Sequence, residues 1–399
     1  MTRLSHTALA AALLALAVNA TEARAQNTHK IGYVGDLSGP MQDSYAPILE
    51  AFEFYIKALN ERGGIKGVQV KLFVRNDQLD ATRAGSVSLE LATAEGVNSI
   101  WGMSQTRTHM AVYQMAQRHR VPAIAMFSGI KEVLPPNPLP FSYSIGHVFE
   151  VAGEVSGKLA GQMLKGKGTV VCASIEAPGG VAVCQFVEGA SQAAGLESDT
   201  VLFPPPTTEY GAIAQRMIAM KPTLVVAHVG AGQNVGLFRA LRGAGYSGPI
   251  LMGSHGLNET PLVTALKGAG GLNNLQIVSR FASPDSPGKE LDDLRAAAKR
   301  YGKKDPISTS SIMGWSMGRI MEAALTKCGY PCSGEKLDGV LQILNVDMGA
   351  LMGGPVTFAP KDHYGKTWWR VYQYNEATGK FDAASNWIEA SSTPTLKKK

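Results

Sequence analysis

One pattern constrains this chain more than any other. Short apolar runs alternate with stretches whose apolar residues recur every three or four positions, and loops of small polar residues join the two. Residues 29–35 read as a strand ending in the loop Gly35-Asp36-Leu37-Ser38-Gly39-Pro40. Residues 48–60 place Phe52, Ile56 and Leu59 on one helical face, and Gly63-Gly64 stops that helix. Val68, Val70, Leu72 and Val74 alternate as a second strand; 82–94 is helical, 99–101 a strand, 110–119 helical and 121–126 a strand. The pattern restarts with strands at 168–173, 223–229 and 249–253. Repeated βα units demand a parallel sheet covered by helices on both faces. The expectation is therefore an α/β chain with two doubly wound parallel-sheet lobes, joined by Pro- and Gly-rich crossings such as Pro135-Pro136-Asn137-Pro138. Helices at 291–301 and 310–327 belong to one of these lobes, and the alternating aromatic run 368–374 reads as a hairpin packed on a lobe.

The ends and the cysteines indicate a compartment. Arg3, the apolar run 8–18 and Ala23-Arg24-Ala25 have the order of a secretory signal peptide over residues 1–25, cleaved near Ala25. The run is too short to span a bilayer as a mature helix, and no cysteine follows the cleavage site to carry a lipid. Periplasmic localisation is expected. Four cysteines, Cys172, Cys184, Cys328 and Cys332, in an exported chain read as two disulfides. Three pairings are open; proximity favours Cys172 with Cys184 and Cys328 with Cys332. A metal site is not expected, because neither pair has C-x-x-C spacing or a nearby histidine. The formal charge of +6 is modest and falls partly on the terminal Lys397-Lys398-Lys399. With no basic stripe interleaved with aromatics, nucleic acid is not an expected partner.

In parallel αβ sheets ligands bind beyond the carboxyl ends of the strands. The loops 38–45, 103–108, 127–130, 175–180, 228–232 and 254–256 are therefore the places to look. They are rich in small and hydroxylic residues, which suits an anion held by backbone N–H groups near helix N-termini. An enzyme is not expected. The G-x-S-x-G match Gly314-Trp315-Ser316-Met317-Gly318 lies in a helical stretch rather than on a strand-to-helix elbow, and there is no H-E-x-x-H and no P-loop.

Two stretches carry a family resemblance. Residues 31–40, Ile-Gly-Tyr-Val-Gly-Asp-Leu-Ser-Gly-Pro, look like the opening strand and loop of the branched-chain amino-acid (Leu/Ile/Val) binding proteins of ABC transporters. Residues 60–67, Asn-Glu-Arg-Gly-Gly-Ile-Lys-Gly, are similar to that family's N-x-x-G-G-I-x-G turn. The resemblance implies a type I periplasmic-binding-protein fold, with three hinge crossings and a ligand in the cleft between lobes. It implies lobe 1 over 27–147 plus 279–354 and lobe 2 over 148–278 plus 355–390; residues 391–399 read as a disordered tail. It further implies an ABC permease as partner, no cofactor, and a monomer. A ligand-sensing receptor component is the alternative role.

Carried over position by position, the resemblance places Tyr45, the loop Met103-Ser104-Gln105-Thr106 and the loop Phe127-Ser128-Gly129-Ile130 at the ligand. Arg107 beside them reads as a solvated charge at a helix start. The second lobe departs. Where the family has an acidic residue followed by Tyr-Gly, this chain has Ala177-Pro178-Gly179-Gly180. Where the family's amino-acid binders place an acid for the ligand ammonium, it has Ser254-His255-Gly256. Pro178, Gly179, His228, Val229, Gly230, Ser254 and His255 are the expected second-lobe contacts. An imidazole there donates to, accepts from, or pairs with a ligand oxygen; the plain alternative is a loop histidine satisfied by the protein. Without the acid, an ammonium would be buried unpaired at a cost of several kcal/mol. The expected ligand is thus a small organic acid, aromatic or branched, rather than a free α-amino acid. A branched-chain amino-acid or amide binder is the alternative.

Overall fold

The computed structural model describes residues 27–39, 42–103, 106–126, 131–146, 148–204, 207–253, 259–270, 272–303, 306–366 and 368–394. The strands are β1 (Thr28–Gly35), β2 (Gln69–Asn76), β3 (Ile100–Gly102), β4 (Ala123–Ala125), β5 (Ser142–Ser144), β6 (Thr169–Ile175), β7 (Glu197–Phe203) and β8 (Leu224–His228). They continue as β9 (Ile250–Gly253), β10 (Leu275–Ser279), β11 (Asn345–Val346), β12 (Val356–Thr357), β13 (Trp368–Asn375), β14 (Lys380–Ala383) and β15 (Ile388–Glu389). The α-helices are α1 (Gln42–Glu61), α2 (Ala81–Glu90), α3 (Thr106–His119), α4 (Phe149–Leu164), α5 (Pro178–Ala193) and α6 (Gly211–Ala219). After them come α7 (Ala231–Gly243), α8 (Glu259–Leu266), α9 (Lys289–Arg300), α10 (Thr309–Cys328) and α11 (Gly334–Leu341).

Two sheets result. The first runs β2-β1-β3-β4-β5 and is parallel throughout. The second runs β14-β13-β10-β9-β8-β6-β7; β6 to β10 are parallel, and β13 closes its edge antiparallel to β10. Continuous apolar strands explain the covering. All five residues of β8, Leu-Val-Val-Ala-His, are buried, so both faces of that strand need helices over them. The expected α/β fold with parallel-sheet lobes is therefore borne out. The run 368–374 forms β13 and turns into β14 as a hairpin.

The turn at 60–67 shows why its residues are what they are. Gly63 and Gly64 take φ of +97° and +73°, and a methyl on Gly64 would lie 2.2 Å from the Val68 carbonyl oxygen. The Asn60 amide accepts from Val70 N (2.9 Å) and donates to Val70 O (2.8 Å). The motif thus ends α1 and latches it to β2. Helix α1 begins at Gln42, earlier than the expected residue 48, with Pro47 inside it. A proline near a helix start forfeits a single backbone hydrogen bond, which packing on the core offsets.

Helix α10 lies against α1 and is buried along most of its length, from Thr309 to Met321 with few breaks. Both disulfides join near neighbours: Cys172 of β6 to Cys184 of α5, and Cys328 at the end of α10 to Cys332, with Cα separations of 5.6 and 5.7 Å.

The chain crosses between the sheets three times: from β5 into α4, from β10 into α9, and back into β13. Residues 356–365 stay with the first sheet until the last of these. There β12 pairs with β11, Ser144 N donates to His363 O (3.0 Å), and Gly365 N donates to Ser144 O (2.6 Å). At the far end, Ser392 donates to the Asp362 carboxylate.

Candidate ligand-binding site

The carboxyl edges of both parallel sheets lie at the crossings, so the loops that leave them form the candidate site. On the first sheet the loops after β1 and β2 hold one another. Asp36, fully buried, accepts from Gly39 N (2.6 Å). The Asn76 side chain accepts from Leu37 N (3.0 Å) and donates to Ser38 Oγ (2.7 Å). Tyr45, on the first turn of α1, is buried at 1% exposure, and its carbonyl lies 3.5 Å from the Tyr33 hydroxyl. Burial, with Tyr33, Asp77 and Asp36 nearby, holds its phenol well above the usual range.

At the end of β3 the backbone turns through two left-handed residues, Gly102 (φ +95°) and Met103 (φ +65°). Met103 is fully buried, and its N–H donates to Val34 O (2.6 Å). A methionine in this region stores about 1–3 kcal/mol of strain, the kind that clusters at binding sites. Thr106 is the first residue of α3. Just along that helix His109 is fully buried, stacked on Tyr113 with ring centroids 6.0 Å apart. Burial pulls its pKa down to about 3.

That depression sets an acid limit on the loop. Between pH 3 and 6.5 the unfolded chain binds a proton that the folded His109 refuses, so stability falls as pH drops through this window. The slope contributed is about 1.4 kcal/mol per pH unit. His109→Gln is expected to reduce the slope of unfolding free energy against pH by about one proton, read by urea titration between pH 4 and 7. His29 and His363, also lowered by burial, keep their share in both proteins. An unchanged slope would show that His109 is not the titrating group.

On the second sheet Pro178 is exposed at the first position of α5. Gly179 follows it, and a methyl there would lie 2.5 Å from the Phe149 ring, so the loop after β6 sits tightly on the start of α4. His228 ends β8 and is buried at 4% exposure. Its Nε2 lies 2.9 Å from Ser156 Oγ of α4, and its carbonyl accepts from Ser174 Oγ (2.6 Å). A methyl on Gly253 would meet the His228 Nδ1 at 2.4 Å, so that glycine makes room for the ring. Val229 is buried, and Gly230 is the exposed cap residue of α7, its N–H donating to Gln233 Oε1 (3.1 Å). Ser104, Gln105, Phe127, Ser128, Gly129, Ile130, Ser254 and His255 lie outside the described residues, as do the side chains of Thr106 and Arg107.

Sequence reasoning missed Arg280. It directly follows β10 and is 1% exposed, a whole guanidinium inside the protein. Its only sequence signal was a charge ending the apolar run Leu-Gln-Ile-Val-Ser. Its NH1 donates to Ile145 O and its NH2 to Met126 O (3.3 Å). The Phe281 and Trp369 rings lie 5.2 and 5.6 Å from its charged carbon. Burial lowers its pKa to about 10.

Among the described residues no cluster of three or more His, Cys, Asp or Glu side chains is placed to hold a metal ion. Ser316 sits mid-helix in α10, fully buried, which is not the setting of an exposed nucleophile on a strand-to-helix elbow.

A family model described as periplasmic binding protein matches residues 28–380. The chain belongs to that family. The resemblance drawn from residues 31–40 and 60–67 is thereby borne out. Solved structures agree on the fold of this periplasmic binding protein. A solute-binding protein of an ABC transporter from Rhodopseudomonas palustris, in complex with 3,4-dihydroxybenzoic acid, matches at TM-score 0.76 and 18% identity, over 91% of this chain and 98% of that one. A branched-chain amino-acid ABC transporter protein from Thermus thermophilus with bound valine matches at 0.79 and 17%, over 92% and 98%. A fatty-acid ABC transporter substrate-binding protein from Thermomonospora curvata matches at 0.73 and 20%, over 92% and 93%. No curated protein matches the chain. Among the described residues no helix is long and apolar enough to cross a membrane.

Proposed function

We propose that this chain is the solute-binding component of an ABC importer, and that its ligand is a small organic acid, aromatic or branched, without an ammonium group. The observation that carries the ligand class is the loop Ser254-His255-Gly256, which has no acid where the resemblance places the ammonium's partner. Structural relatives in complex with 3,4-dihydroxybenzoic acid, benzoate and 4-hydroxybenzoate are compatible with this chemistry. The relative with bound valine favours the second reading, an amino-acid binder of the same family.

The mechanism is closure about the three crossings. The first lobe, centred on β1 to β5, meets the ligand through neutral groups of the loops after β1, β3 and β4. The second lobe, centred on β6 to β10, then closes over it. In this reading lobe 1 runs to about residue 365 rather than 354, because β12 pairs with β11 and residues 363–365 hydrogen-bond to Ser144 of β5. A ligand shifts such an equilibrium only by its differential affinity for the closed form, so second-lobe contacts govern both closure and selectivity. The closed form is what a membrane permease recognises. Binding and release require no covalent chemistry, so no catalytic residue or cofactor is assigned. Export by the 1–25 leader, a periplasmic site of action and a monomeric state complete the reading.

The test is a thermal-shift screen of the chain from Gln26. The probes are 4-hydroxybenzoate, 3,4-dihydroxybenzoate and 4-methylpentanoate against leucine, isoleucine and valine. A ligand at one hundred times its dissociation constant adds about 2.7 kcal/mol of stability. The carboxylates are expected to raise the melting temperature and the amino acids to leave it alone. A shift with leucine or valine alone would return the ligand class to amino acids.

A further inference from the structure

We infer that Arg280 is the fixed positive charge at the base of the cleft and selects ligands that carry a carboxylate and no ammonium. This rests on the solute-binding reading and names the group behind its ligand class. Three observations converge on the residue.

The first is position. Arg280 leaves the carboxyl edge of the second sheet directly after β10. Its hydrogen-bond acceptors, Met126 O and Ile145 O, sit directly after β4 and β5 on the carboxyl edge of the first sheet. The guanidinium therefore spans the two edges that face a ligand. The second is charge. No described carboxylate forms an ion pair with Arg280. The buried acids of the neighbouring loops, Asp36 and Asp77, accept from Gly39 N and Leu79 N of their own loops. The third is an unused donor: Arg280 Nε is buried with no hydrogen-bond partner.

An interior charge without a counter-charge is costly, and carbonyl dipoles offset only part of that cost. A carboxylate entering the cleft completes it, and a guanidinium meets a carboxylate in a planar two-point geometry. An ammonium in the same place is repelled. The rings of Phe281 and Trp369 hold the group where it is, so it is charged and oriented before the ligand arrives.

The experiment compares a carboxylate with its neutral isostere. Titration calorimetry of the chain from Gln26 uses 4-hydroxybenzoate and 4-hydroxybenzamide, with valine as the zwitterion. The wild-type protein is expected to favour the acid over the amide by at least about tenfold. Arg280→Gln is expected to weaken the acid by at least about tenfold and the amide by less than about threefold. Arg280→Lys, which keeps the charge, is expected to retain most of the preference, and it carries the test should the glutamine variant not fold. Equal losses on acid and amide would make Arg280 a structural tie between the crossings and overturn the inference. A wild-type protein with no preference for the acid would overturn it as well. Binding of valine in place of both benzoic probes would instead remove the ligand reading beneath it.

Discussion

Trp101→Ala is expected to cost about 3–5 kcal/mol of stability, the range for emptying a buried tryptophan site. Trp101 stands on β3, the middle strand of the first sheet, and is fully buried. Its indole packs against Phe52 of α1 with centroids 6.4 Å apart, and its Nε1 donates to Ser99 Oγ (2.9 Å). Ser99 Oγ in turn lies 3.0 Å from Asn98 Oδ1. Alanine would leave a cavity between sheet and helix and would take a partner from the Ser99 hydroxyl. The β3 backbone pairs with β1 on one side and β4 on the other, which limits how far the cavity can close. Urea denaturation at neutral pH measures the loss. A cost under about 1 kcal/mol would mean that the ring contributes little to the core.

Gly314→Val is expected to cost about 3 kcal/mol, at the upper end of the cost of overpacking. The absent Cβ of Gly314 lies 2.0 Å from the Ile48 carbonyl oxygen and 3.1 Å from the Ala51 Cβ. The obstacle is the backbone of α1, which cannot swing aside as a side chain does. One turn along α10, Gly318 stands equally close to the Tyr55 ring, 2.3 Å from its Cγ. A larger residue at 314 would therefore push the two helices apart along their contact. Gly339→Ala on α11 is the control, because nothing lies within 4 Å of its added methyl. That change is expected to stabilise by about 0.5–1 kcal/mol through helix propensity alone. Equal effects at the two glycines would show that propensity, not close approach, governs position 314.

Strands buried on both faces were legible because their sequences say so. Val-Val-Cys-Ala in β6 and Leu-Val-Val-Ala-His in β8 are unbroken apolar runs that water cannot reach. The hairpin at 368–374 was legible for the opposite reason, an alternation in which Trp369 and Val371 point inward. Strand β5, Ser-Tyr-Ser, carries no such signal; its place comes from β4 on one side and Tyr364, far along the chain, on the other. Strand β7 opens Glu-Ser-Asp-Thr because it lies at the edge of the second sheet and is partly exposed.

The site was less legible than the fold. His228 reads from sequence as a loop imidazole open to a ligand. Its hydrogen-bond partner Ser156 is 72 residues away, a distance no local pattern spans. Arg280 reads as a surface charge because its environment is made entirely elsewhere. Its two carbonyl partners are 135 and 154 residues earlier, and Trp369 comes from the third crossing.

The antiparallel pairing of β13 with β10 sets an order in time. The ribosome finishes β10 at Ser279 and does not begin β13 until Trp368, roughly ninety residues later. At about 5–20 residues per second that interval lasts on the order of 5–20 s. Until β13 arrives, the β10 edge of a folding chain offers a row of unpaired backbone groups, the template on which strands of other chains add. The hairpin of β13 and β14 is thus the second sheet's own closure, supplied last, and any chain that ends before Trp368 carries that open edge for good.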